Sequence, residues 1–334
     1  MNKILLRGLV SLGFIALLFY LMRDDIPVII HTLGHMNHAM VATSALVFLG
    51  SVWILARRLQ LIFEAKEVSL RLPVAMDLTL VGYFFNNFLP TSVGGDIVKA
   101  MCAARVTKHT VKSVTSVLMD RIFGLFTFIL IPSVTLLFFL TKIANPMVPV
   151  IVYSLLFFSC FCFFLIFNRG VARYFRFLET VFSRFGIARK IHQVYDGLHD
   201  FKFHKGTVAA AMALSFVGQS ISIAVLYAMT LALGAHAPVM YFFLLVPVVN
   251  LVSMLPSLNG LGIREGAYVY FLAPYIGREY AAALSILWLA LLFLLSILGA
   301  VVYLLHPEYH IRFKEAVRPP EELAAVAGNG EATS

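Results

Sequence analysis

The sequence predicts an all-α integral membrane protein with about six full transmembrane helices, two broken re-entrant segments and a possible inverted repeat. Three observations carry that expectation. Of the 334 residues 60% are hydrophobic and only 13% are charged, with a mean hydropathy of +0.89; a soluble domain is roughly 45–50% apolar and about 25% charged. The apolar residues fall in runs of the length that crosses a bilayer core. The basic residues behind the net charge of +9 cluster between those runs, as in loops that face anionic headgroups, and this places the chain on a membrane rather than on nucleic acid.

Runs of spanning length cover 4–22, 39–56, 117–140, 146–167, 208–233 and 280–305. The first resembles a signal peptide, with Lys3 and Arg7 ahead of apolar residues, but Arg23, Asp24 and Asp25 follow instead of a small-residue cleavage site. It is expected to stay as an uncleaved span. Two further apolar stretches, about 74–98 and 239–277, are each broken in the middle by a proline–glycine element. The first holds Pro90, Gly94 and Gly95; the second holds Pro256, Gly260 and Gly262.

Charge sets the expected orientation. Arg57, Arg58, Lys66 and Arg71 follow the second span, and Lys99, Arg105, Lys108 and Lys112 precede the third. Eight further Lys and Arg lie between 169 and 205, and Arg312, Lys314 and Arg318 follow the last span. The opposite connections carry only Arg23 and Lys142. A cell inner-membrane protein with both termini cytoplasmic is therefore expected, with residues 1–310 as one membrane domain and 311–334 as a small, polar, disordered tail. On this topology the two broken segments dip in from opposite faces. Irregular backbone at membrane depth survives only against protein or a wet cavity, so both are expected to face one internal cavity. They share the pattern L-P-[ST]-x-x-G, at 89–94 and 255–260. Inverted repeats with a midplane site leave such a trace; coincidence between two Gly/Pro turns would leave the same six residues. Segments 57–73 and 171–204 alternate basic and apolar residues and read as interfacial helices.

Ionisable side chains at membrane depth are expensive and mark candidate sites. Arg264 and Glu265 open the returning half of the second broken segment, where a guanidinium beside helical N–H groups would suit a lipid phosphate; a purely structural pair would look the same. Asp96 and Lys99 follow the first loop, where Asp96 could equally cap a helix. Asp120 and Arg121 open the third span, where snorkelling is the alternative. Asn86 and Asn87 could bind a headgroup or satisfy broken backbone. Three cysteines (Cys102, Cys160, Cys162) lack metal-ligand spacing, and His31, His35 and His38 gather no carboxylate. No metal, cofactor or catalytic motif is expected, and without a nucleotide-binding loop any transport has to run on a gradient or a partner.

N-x-F-L-P-x-x-x-G-G-D from Asn86 to Asp96, D-R-x-x-G from Asp120 to Gly124, and P-x-x-x-G-x-G-x-R-E from Pro256 to Glu265 resemble the lysylphosphatidylglycerol synthase membrane domain, also called the flippase-like domain family, over about residues 4–310. The resemblance implies a polytopic prokaryotic membrane protein. The family's best-understood members join this domain to a soluble aminoacyl-transferase and move aminoacylated phosphatidylglycerol between leaflets. Stand-alone relatives are associated with hopanoid, polyprenol-linked and other envelope lipids. No transferase domain is expected after about residue 320, and Lys99 stands where an arginine is usual, which keeps charge but loses the bidentate fork. A flippase or transporter for an anionic or polar-headgroup lipid is the leading expectation. A membrane transferase on a lipid-linked substrate would need Asp96, Asp120 or Glu265 as its carboxylate. A third possibility is a non-transporting subunit of an envelope-lipid pathway. Expected partners are therefore lipids, envelope-lipid enzymes and a second copy of the chain, with no nucleic acid.

Overall fold

The computed structural model describes residues 26–89, 93–139, 147–168, 188–254 and 260–310. The expected span at 4–22, Pro90, Pro256, residues 171–187 of the basic–aromatic segment and the tail lie outside them. Among the described residues every regular element is a helix, and five are long and apolar enough to cross a bilayer.

A short helix α1 (Ile26–Gly34) leads into α2 (His38–Glu64), which Asn37 caps by accepting from the Met40 N–H at 3.0 Å. On α1, the His31 ring stacks on His35 at 4.0 Å. Helix α2 corrects one expectation. Residues 57–64 continue the span instead of opening an interfacial helix, because nothing there breaks the backbone and Arg58 has a buried partner. The arms α3 (Leu72–Phe88) and α4 (Gly94–Thr107) follow, then α5 (Thr110–Phe139) and α6 (Met147–Phe167). The span at α5 begins earlier than its apolar run, so Asp120 sits about 15 Å along the helix rather than at its edge. The described part of the interfacial segment is α7 (Ala188–His199) and a 3-10 turn (Asp200–Phe203). Tyr195 and His199 hold α7 to carbonyls of Leu165 and Ile166 at 3.1 and 2.9 Å, and Lys66 ties the turn to the end of α2 through Asp200 at 3.2 Å. Helices α8 (Lys205–Ala232), α9 (Val239–Val252), α10 (Ile263–Ile276) and α11 (Arg278–Leu305) complete the fold.

Arms α3 and α4, and arms α9 and α10, are hairpins rather than spans. The longest arm, α3, has 17 residues, about 25 Å of helix against a hydrocarbon core of about 30 Å. In the first hairpin the arms touch backbone to backbone: a Cβ on Gly95 would lie 2.2 Å from the Gly82 carbonyl and 2.6 Å from the Asn86 side chain. Only glycine allows that approach. In the second, Tyr241 stacks on Tyr275 at 3.9 Å, and the turn uses Gly260 and Gly262 at φ +76° and +82°, a left-handed region costly for other residues.

The helices pack as two matching units. Helix α3 lies on α11 as α9 lies on α5, and α4 on α5 as α10 on α11. Helix α2 meets α3 and α5 as α8 meets α9 and α11, and α1 meets α11 as α7 meets α5. The equivalent helices α2 and α8 pack directly and run antiparallel. The Asn37 N–H donates to the Ala232 carbonyl at one end, and Arg58 reaches Ser215 towards the other. Antiparallel equivalents make this an inverted repeat, with the two hairpins entering from opposite faces. Small residues allow the closest contacts, as expected where lipid gives no hydrophobic drive between helices; a Cβ on Gly299 of α11 would lie 2.1 Å from the Leu80 carbonyl of α3. Large apolar side chains such as Phe138, Phe157, Leu304 and Leu305 point outwards, where acyl chains cover them.

Candidate functional site

Each hairpin returns into the bundle through a helix start whose N–H groups need partners. In the first, the Asn86 side chain crosses from α3 and accepts from the Gly95 N–H at 3.0 Å. Asp96 is thereby left out of capping and faces α5. In the second, Glu265 reaches back to the Gly262 N–H at 2.6 Å, the reciprocal half of a capping box. Its other oxygen accepts from Arg264 Nη2 and Nε at 2.9 and 3.1 Å. Asn87 ties the first hairpin to α11 by donating to Ser296 and to the Leu292 carbonyl.

The first hairpin carries a buried charge network. Asp120 on α5 accepts from Arg58 Nε on α2 at 2.7 Å and from Lys99 Nζ on α4 at 3.0 Å, one cation for each carboxylate oxygen. Arg58 also donates to the Ser215 hydroxyl on α8 at 3.0 Å. All three ionic side chains are at most 10% exposed. Beside them Arg121 lies 3.6 Å from Asp96 Oδ2, an oxygen buried without a hydrogen bond.

Two cavities open onto these residues. One, of about 190 Å³, is bounded by Arg58, Thr79, Tyr83, Asn86, Asp96, Lys99, Asp120, Arg121 and Gln219 among others. The second, of about 240 Å³, is bounded by Asn87, Ser222, Asn250, Ser253, Arg264 and Trp288. Tyr83, Asn86, Arg121, Phe128 and Gln219 line both, so the cavities adjoin through one wall of side chains. Among the described residues four cations (Arg58, Lys99, Arg121, Arg264) stand in or beside them against three carboxylates (Asp96, Asp120, Glu265), leaving one positive charge in excess. Such a cleft can hold an anionic group whose remaining oxygens meet amides and hydroxyls.

Most residues singled out from sequence meet here. Asp96, Lys99, Asn86, Asp120 and Arg121 line the first cavity, and Asn87 and Arg264 line the second. Glu265 bounds neither; its two oxygens serve the helix start and Arg264. Gly94 and Gly95 open α4, and Gly260 and Gly262 shape the second turn. Arg58, Tyr83, Gln219 and Asn250 were not anticipated. The available signal was a lone polar residue in an apolar run, which Gln219 and Asn250 both show; Arg58 was masked by its neighbour Arg57 and counted as loop charge.

A family model for the lysylphosphatidylglycerol synthase TM region matches residues 4–299. The chain belongs to that family. It is also 26% identical over 260 residues, 70% of this chain and 73% of the other, to a "UPF0104 membrane protein" of Methanothermobacter thermautotrophicus. Family membership and the long apolar helices make this a multi-pass membrane protein connected with lipid metabolism or transport. Described residues of all three motifs line the cavities: Asn86 and Asp96 of the first, Asp120 and Arg121 of the second, and Arg264 of the third.

Proposed function

We propose that the protein is a lipid transporter of the flippase type, passing an anionic or polar-headgroup lipid between leaflets of a prokaryotic cytoplasmic membrane. The observation that carries this reading is the pair of adjoining polar cavities between two opposed hairpins, with cations from both repeats on their walls. Arg264 approaches from one face, and Lys99 and Arg121 belong to the hairpin and helix of the other. A phosphate can be handed from one set to the other without entering hydrocarbon, while acyl chains stay in lipid. Lys66, Arg105, Lys108, Lys112, Lys202 and Lys205 all lie where α2 ends, α5 begins and α8 begins, and this supports placing that end, with both termini, in the cytoplasm. A transferase reading is left with Asp96 alone, since Asp120 holds two cations and Glu265 is engaged.

The test is transfer of fluorescent phosphatidylglycerol across liposomes carrying the purified protein, followed by reduction of the outer-leaflet dye. Wild type should expose lipid far faster than protein-free liposomes. Arg264→Ala should slow transfer roughly ten- to hundredfold, the value of one charge-assisted hydrogen bond at about 1.5–3 kcal/mol. Background rates for phosphatidylglycerol and for other anionic lipids would reject the reading.

A further inference from the structure

The two cavity carboxylates of the first hairpin region are held in unlike ways. Asp120 has a cation on each oxygen at hydrogen-bond distance, so its charge is built into the bundle. Asp96 has a buried oxygen without a hydrogen bond, 3.6 Å from Arg121, too long for one. A buried carboxylate oxygen left in that state is costly, and it lies beside the guanidinium that lines both cavities.

We propose that Asp96 is a proton-coupling site, taking up a proton when an anionic headgroup binds Arg121 and releasing it when the headgroup leaves. This rests on the lipid-transport reading above. A phosphate offers Arg121 a bidentate partner and displaces the loose Asp96 contact. The ionised carboxylate would then face both a phosphate and Asp120. A proton from water on the loading side adds to Oδ2, removes that repulsion and turns Asp96 into a donor to a phosphate oxygen. On release the O–H bond breaks, the proton enters water on the other side, and Asp96 pairs with Arg121 again. The charged and titratable groups around Asp96 are Arg121 and Asp120 on α5, Lys99 on its own helix, Arg58 on α2 and Tyr83 on α3; Gln219 on α8 is neutral. A proton needs only the one carboxylate oxygen, whereas a sodium ion would need several oxygen ligands gathered among three cationic side chains, and this selects the proton over sodium as the coupled species.

Binding of dihexanoyl phosphatidylglycerol to the detergent-purified full chain, by calorimetry in buffers of different ionisation heat, reads the linkage directly. One proton should be taken up per lipid, and affinity should fall about tenfold per pH unit on the alkaline side. Asp96→Asn should bind across that range without proton uptake, and Asp96→Glu should restore it. In liposomes, acid on the loading side should speed transfer several-fold in wild type and leave Asp96→Asn unchanged. Wild-type binding without proton uptake, the same pH profile in Asp96→Asn, or dependence on sodium instead of pH would overturn the coupling and leave lipid transport standing. Absence of both binding and transfer at every pH would overturn the transport reading, and the coupling with it.

Discussion

The two hairpins are one backbone device stabilised in two ways. In the first, the return helix is bolted to its surroundings: Lys99 meets Asp120 on α5, Asp120 meets Arg58 on α2, and Arg58 meets Ser215 on α8. In the second, the ion pair joins neighbours, Arg264 and Glu265, and the capped group is three residues away. The glycines repeat the contrast. Gly95 is pressed against the opposite arm, whereas a Cβ on Gly266 would have nothing within 4 Å. The second hairpin carries its electrostatics with it and can shift against the bundle without breaking an ion pair to another helix. The first can move only by parting buried charges.

The sharpest way to break this contrast is Asp120→Asn. It leaves Arg58 and Lys99 buried around a neutral amide and should cost about 3–5 kcal/mol, seen as a large drop in detergent melting temperature. Gly95→Ala forces the arms of the first hairpin apart and should cost about 1–3 kcal/mol by the same measurement. Glu265→Gln keeps an oxygen for the Gly262 N–H but turns its NH2 towards the Arg264 donors and loses both of their hydrogen bonds, so about 1–3 kcal/mol is expected. A loss equal to that of Asp120→Asn would show that the second hairpin is bolted too. Gly266→Ala should be smallest and of opposite sign, a gain of up to about 1 kcal/mol from helix propensity and chain entropy; a clear loss would place an unseen neighbour against α10.

Five of the expected spans and both hairpins were legible because each depends on local composition: a run of apolar residues, or a Pro/Gly break within one. The shared Leu-Pro pattern pointed to the repeat, but only the antiparallel packing of α2 on α8 settles it. The cavity was legible as far as motifs reached, through Asp96, Lys99, Asp120 and Arg264. Arg58 was not, because a window of sequence cannot separate an arginine that snorkels from one whose counter-ion lies 62 residues away on another helix. The separate roles of Asp96 and Glu265 were hidden for the same reason. Capping, ion pairing and ligand contact call for the same residue at a helix start, and distance alone distinguishes them.

The second unit crosses the membrane three times, through α6, α8 and α11, because its hairpin enters and leaves by one face. Three is odd. A segment with an odd number of crossings, copied in tandem, enters the bilayer upside down by parity alone, with no new insertion signal. The half-depth hairpin adds nothing to that number; had α9 and α10 each crossed fully, the count would still be odd, but the bundle would be far larger. Had only one of them crossed, the copy would have landed upright, and two loops from opposite faces could never have met over a common cleft.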